Sequence, residues 1–216
     1  LPPDESHHAA AVMRARAGDA VELFNGRGVV ASGIIEQVSR RGVAVRVEKT
    51  QSLPFELRHR LTLAVAMSKT HRQGYLVEKC TELGVAAIWP IIAARSVAQP
   101  GEAAVEKWSR RAVEAAKQSG RAWIPTIAPV ASFMEAGSWA GQFHAALFAD
   151  LDEPASSILR ILESHLSATE IIAFVGPEGG WTDEERRAAR EAGMTTVSLS
   201  PTILRADPAA VAVCAA

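Results

Sequence analysis

An unbroken apolar run, Ile171 to Val175, stops at Gly176 and is followed by Pro177, Glu178, Gly179 and Gly180. The run predicts a buried strand. Thr182, with Glu185 three residues on, reads as a capping box that opens a helix. Strand, glycine loop and helix start together build a ligand site at the carboxyl end of a sheet. Glycines let a ligand approach the backbone, whose N–H and C=O groups can read it. Neither the GxGxxG spacing nor a P-loop's Gly-Lys-Ser/Thr is present. A single glycine loop is equally well a tight turn.

A chain of 216 residues is long enough for a proper core in one or two domains. No apolar run approaches the roughly 20 residues of a membrane span. The polar start, with Pro2 and Pro3, is no signal peptide. Cys80 and Cys214 lie far apart and suggest no disulfide framework, so a reducing cytoplasm is the simplest home. The chain begins without Met and stops inside the apolar run 209–216, so both natural ends are expected to lie beyond it.

Charge is distributed unevenly. Residues 59–125 hold ten Lys/Arg against five Glu, whereas residues 126–216 hold five Arg against twelve acids. A basic middle on a near-neutral protein suits an anionic partner, or reflects ordinary solvated helix faces.

Two regimes follow one another along the chain. Ala20 to Phe24, Gly28 to Val38 and the alternating Val43, Val45 and Val47 read as antiparallel strands joined at Asn25-Gly26 and Ser39 to Gly42. They predict a small sheet curled into a barrel. The polar stretch Glu48 to Gln51, with Pro54 beyond, reads as a linker. From Leu61 strands alternate with helices: strands over 61–67, 88–92, 124–127, 145–149, 171–175 and 195–199, and helices over 73–83, 102–119, 155–165, 182–192 and from 208. Pro90 marks its strand as an edge or irregular one. This alternation predicts a mostly parallel α/β sheet. The boundary between the regimes divides the chain into 1–58 and 59–216.

The six histidines have no metal-ligand spacing, and no Gly-x-Ser-x-Gly elbow is present. A second strand–loop–helix passage, Leu199 to Pro208, repeats the logic of the first. Asp207-Pro208 reads as an N-cap followed by Pro at the first helical position. Arg205, placed between Ile203-Leu204 and the helix, either carries chemistry or bridges to a nearby acid.

Four segments then resemble one family: Gly176-Pro177-Glu178-Gly179-Gly180, Ser198-Leu199 with Ile203-Leu204-Arg205, Glu78-Lys79 with Thr81 to Val85, and Glu114-Ala115-Ala116 with Gln118-Ser119 and Arg121. Together with His8, Val12 to Arg14 and Gly18-Asp19, they resemble the bacterial 16S ribosomal RNA uracil-N3 methyltransferases of the SPOUT superfamily. The resemblance covers nearly the whole chain in the same order. It implies a knotted, mostly parallel α/β sheet over 59–216, preceded by a PUA-like β-barrel for RNA binding over 1–58. It further implies a homodimer, S-adenosylmethionine as methyl donor, and 16S rRNA or the assembled small subunit as partner, with no metal. The chain departs from the family pattern at Ser200, Thr202, Ala206-Asp207 and Pro208, where the family reads Gly, Arg, Thr-Glu and Thr.

On this resemblance the cofactor falls to Gly176, Pro177, Glu178, Gly179, Gly180, Leu199, Ser200, Ile203 and Leu204, with Leu147 and Phe148 as a wall. Arg205 would stabilise charge on the uracil, and Glu178 would take the proton or fix the donor's amino group. Arg14, Lys69, Arg72, Arg95, Gln118 and Arg121 would grip RNA. Two other readings remain open: a SPOUT enzyme acting on a ribose 2′-OH or a tRNA base, and a non-catalytic RNA-binding relative.

Overall fold

The computed structural model describes residues 1–68, 70–151 and 155–216, with Thr70 and His71 as backbone only. The chain forms two compact units, Leu1–Glu56 and Leu57–Ala216. Among the described residues no helix is long and apolar enough to cross a membrane.

The first unit opens with the short helix α1, Pro3–His7, followed by strands β1 (Ala20–Phe24), β2 (Val29–Ser39) and β3 (Gly42–Ser52). The strands form an antiparallel meander. Asn25 shapes the first turn, its Oδ1 accepting from the Arg27 and Val29 amides at 2.8 and 3.1 Å. Register shifts at Ser32/Gly33 and Ile35/Gln37 bend β2 and increase its twist. Ile35 and Val43 are buried, and Ser6 of α1 accepts from the Val43 amide at 3.1 Å.

The expected linker at 48–51 is instead strand. β2 and β3 each run for 11 residues, so Lys49, Thr50 and Gln51 pair with Ser32, Ala31 and Val30. The outer part of β3 is exposed on both faces, which explains its loop-like polar composition.

The second unit continues with β4 (Arg60–Ala66), α2 (Thr70–Glu82), β5 (Ala87–Ile92), α3 (Glu102–Ser119), β6 (Thr126–Ile127), β7 (Ala131–Ser132) and α4 (Phe133–Gly137). Then come β8 (Ala145–Ala149), β9 (Ser156–Ser157), α5 (Ile158–Ser164), β10 (Glu170–Val175), α6 (Asp183–Glu191), β11 (Thr195–Ser198) and α7 (Ala206–Ala215). The strand order is β6-β5-β4-β10-β8-β11-β9, with β7 beside β5, and every pairing is parallel. Pro90 is accommodated because β5 is covered outwardly by β6 at 87–88 and by β7 at 91–92, so the outer ladder lapses at Trp89-Pro90.

Helices cover both sheet faces, so the central strands are apolar throughout. In β10, Ile171, Ala173 and Val175 join the core under α2, α3, α5 and α7, while Ile172 and Phe174 join the core under α4 and α6. β10 inserts between β4 and β8, although both precede it in the chain. After β11 the chain returns over the sheet, and α7 packs on α2, β4 and β10.

Where α7 meets α2, Cys80 and Cys214 are neighbours despite their separation in sequence, and both are free thiols. A hydrogen bond with Cys214, followed by burial, pushes the Cys80 thiol well above its usual range, which leaves it a poor nucleophile.

Arg121, expected to grip RNA, is a buried structural residue. Its guanidinium donates to the carbonyls of Thr81 at 2.7 Å and Val85 at 3.3 Å, closing the end of α2 against the end of α3. The C-terminal carbonyls of a helix have no partner within it, and a buried cation answers them. Replacing Arg121 by Met is expected to lower stability by about 2–3 kcal/mol, read as a lower urea midpoint at unchanged m value. Unchanged stability with lost RNA binding would restore the phosphate role.

Candidate functional site

Because β10, β8 and β11 are adjacent and parallel, their carboxyl ends emerge on one edge of the sheet. Three chain passages therefore meet there: 176–181 after β10, 149–151 at the end of β8, and 199–206 between β11 and α7. They enclose a cleft of about 260 Å³. The turns around residues 178 and 203, separate in sequence, share one pocket.

Trp181 fixes the first passage. Its ring is 1% exposed and stacks on Phe148 at 4.7 Å between centroids, with Phe133 at 4.9 Å. Its Nε1–H donates to the carbonyl of Ala149 at 2.9 Å, tying the β10 loop to the end of β8. Gly176 makes room for this ring: a Cβ there would lie 2.7 Å from the indole. At Gly180 φ is +68°, the left-handed region that favours glycine. At Gly179 a Cβ would lie 3.0 Å from the Arg95 side chain, and the Arg95 guanidinium donates to the Gly179 carbonyl at 3.0 Å. Much of the glycine pattern is thus demanded by the protein's own packing.

The expected capping box forms. Thr182 Oγ1 accepts from the Glu185 amide, and Glu185 Oε2 accepts from the Thr182 amide at 2.8 Å. Glu185 also accepts from the Ala94 amide at 2.8 Å through Oε1, joining the loop after β5 to the start of α6. At the cleft wall, Asp150 is buried and held by Arg186 of α6, with Nε to Oδ2 at 2.7 Å.

In the second passage, the Thr202 amide donates to Ser200 Oγ at 3.1 Å. Ile203 lines the cleft while 87% exposed. Arg205 is exposed between the lining residues Leu204 and Ala206, and its position caps α7 without a side-chain bond. Asp207 is not the N-cap expected for it. It is the second residue of α7, buried, and paired with Arg72 of α2 at 3.1 Å. Pro208 is correspondingly the third helical residue and not the first; its missing N–H still falls among those without a partner in the helix.

Of the residues expected at the cofactor, Gly176 to Gly180, Leu199, Ser200, Ile203 and Leu204 line the cleft. Leu147 and Phe148 do not. Both are 2% exposed and belong to the two cores, and the wall is made by Ala149, Asp150 and Leu151, the residues that follow as β8 ends. The expected RNA residues are scattered. Arg95 braces the glycine loop, Arg72 pairs with Asp207, Gln118 is exposed on α3, and Arg14 is exposed in the first unit at a φ of +54°. Lys69 lies outside the described residues.

Residues 55–216 match the family described as RNA methyltransferase domain, and residues 1–48 match the RNA methyltransferase PUA domain. The ribosomal RNA small subunit methyltransferase E of Mycobacterium tuberculosis is 37% identical over 212 residues, covering 96% of this chain and 80% of the relative. The chain belongs to the ribosomal RNA small subunit methyltransferase E family. The Synechocystis member is 34% identical over 203 residues, which cover 93% of this chain and 66% of that protein. Among solved structures, the Neisseria gonorrhoeae family member bound to S-adenosyl methionine superposes with a TM-score of 0.91 at 28% identity, covering 100% of this chain and 88% of that one.

Sequence reasoning missed Trp181, Asp150 with Arg186, and Arg72 with Asp207. Each depends on a contact between distant segments. The aromatic residue directly after the paired glycines is the only local sign of the first.

Gly176→Ala is expected to cost about 1–3 kcal/mol through overpacking against the indole. In a Trp181→Phe background the same methyl should cost at least about 0.5 kcal/mol less, a coupling read by chemical denaturation of the four variants. Equal costs in both backgrounds would show that the ring is not what the methyl meets.

Proposed function

We propose that this protein transfers a methyl group from S-adenosylmethionine to N3 of a uridine in 16S ribosomal RNA, acting as a homodimer in the cytoplasm. One observation carries the reading: the two loops around 178 and 203 share a cleft in a chain of this family. The homodimer and the small subunit as substrate come from the family resemblance, and the cytoplasm from the sparse, widely separated cysteines.

The residues present fit the donor. Val197, Leu199, Ile203 and Leu204 offer apolar walls for an adenine ring, and the 176–180 backbone offers polar groups for its edges. Glu178 lines the cleft and is exposed, so its carboxylate can face the donor's positive charges. S-adenosylmethionine supplies a methyl group on a sulfonium, whose S–C bond breaks as the new N–C bond forms.

The protein's task is orientation and electrostatics. Uracil N3 holds a proton at neutral pH and becomes a nucleophile on losing it to solvent. The resulting charge spreads onto the two flanking carbonyl oxygens. Arg205, exposed between the lining residues Leu204 and Ala206, can offer paired donors from its always-charged guanidinium to that anion. Glu178, exposed at the cleft, serves in positioning the donor rather than as base. The target base must leave its stack to enter the cleft.

The test is incubation of small-subunit RNA with labelled donor, followed by mapping of the product. N3-methyluridine is expected at one position. Arg205→Ala should lower turnover by about 100-fold or more, with donor affinity unchanged by calorimetry. Intact turnover in that variant would remove Arg205 from the mechanism, and methylation at a ribose 2′-OH would overturn the reaction assigned.

A further inference from the structure

Most of the cations expected to hold RNA are occupied within the protein, yet the middle of the chain remains basic. The free cations lie on another face. On α3, Lys107, Arg110, Arg111 and Glu114 are spaced so that they share one side of the helix. That side borders a groove of about 410 Å³ against α2, with the buried Trp108 beneath it. Lys107 and Arg110 are exposed and meet no carboxylate among the described residues. Of the acids beside them, Glu114 and Glu78 are already answered, while Glu106 is exposed on α3. Glu114 accepts from Lys117 at 2.9 Å, and Glu78 is paired with both Lys79 and Arg111. The lysine and arginine beside Glu78 hold its carboxyl below the usual range, Lys79 having the largest effect, so it stays charged and paired.

The opposite wall includes Gly74, in the interior of α2. A glycine inside a helix weakens it. Gly74 does not have a left-handed φ, and a Cβ there would meet nothing within 4 Å. Nothing among the described residues therefore requires glycine. What a bare helix wall provides is close approach from outside. A groove with unpaired cations on one wall and bare backbone on the other complements a chain of phosphates.

We propose that the α2–α3 groove binds the phosphodiester backbone of the RNA substrate, with Lys107 and Arg110 as its principal contacts. The proposal rests on the reading of the protein as an RNA methyltransferase, and it adds a grip on the substrate away from the residues of the cofactor cleft. Such contacts fix register and orientation and carry no base specificity.

The experiment is filter binding of a 16S ribosomal RNA transcript between about 50 and 200 mM salt, the range over which counterion release is resolved. For Lys107→Ala/Arg110→Ala, the log–log salt slope should fall by about 1.4–1.8, given roughly 0.7–0.9 per phosphate contact, and affinity should fall on the order of tenfold. Donor affinity and melting temperature should stay unchanged, because both side chains are exposed. Gly74→Glu should weaken binding in the same direction, and Gly74→Gln, of equal size without charge, should weaken it less by obstructing close approach alone. An unchanged slope in the double variant overturns the proposal. So does a changed sedimentation mass, which would assign the groove to a second copy of the chain. If the wild type binds RNA with the expected slope while mapping finds no N3-methyluridine, the reaction assigned fails and the groove stands.

Discussion

The site depends on one aromatic pin. Trp181 lies between Gly176, which clears space for it, and Phe148 and Phe133, which receive its faces. Its indole N–H reaches across to the last carbonyl of β8. One side chain thereby fixes the exit of β10, the end of β8 and the entry to α6. Aromatic packing of this kind carries large buried area and a defined geometry, and the polar tip adds direction. The glycine loop is held from its other side by Arg95 and, through Glu185, by the Ala94 amide. A loop so restrained can present its backbone with little ordering left to do on binding.

The second half of the cleft is fixed differently. The passage from 199 to 205 has an exposed apolar wall at Ile203 and few hydrogen bonds of its own. It is anchored where α7 begins, by Asp207 paired with Arg72 of α2. Asp207 is buried while Arg72 remains partly exposed, so the acid depends on the pair more than the base does. Arg205 stands two residues before this anchor. The start of α7 that follows it is thus held by a salt bridge to a helix more than a hundred residues earlier in the chain.

Local features were legible in the sequence. The capping box at Thr182 and Glu185 and the alternation of strand and helix both depend on neighbours within a few residues. The pairing of the two loops was legible only through the family resemblance, since nothing in either loop names the other. What escaped reading depends on distant contacts. Glu48 to Gln51 looked like a linker because the end of β3 is solvated on both faces. Arg121 looked like a surface cation, yet two carbonyls from another helix bury it. Asp207 looked like an N-cap until Arg72 was brought to it by the packing of α7 on α2. Leu147 and Phe148 were placed two residues too early, because the cleft starts only where β8 stops pairing. Charge counted along the chain suggested an anionic partner, but three-dimensional pairing decides which cations remain available.

The central claim is that two passages, pinned by unrelated contacts, act as one binding site. Hydrogen–deuterium exchange with and without S-adenosylmethionine measures this directly. The account predicts that amides within 176–180 and within 199–204 slow together on addition of the donor. Slowing of one passage alone, or protection confined to another edge of the sheet, would contradict it.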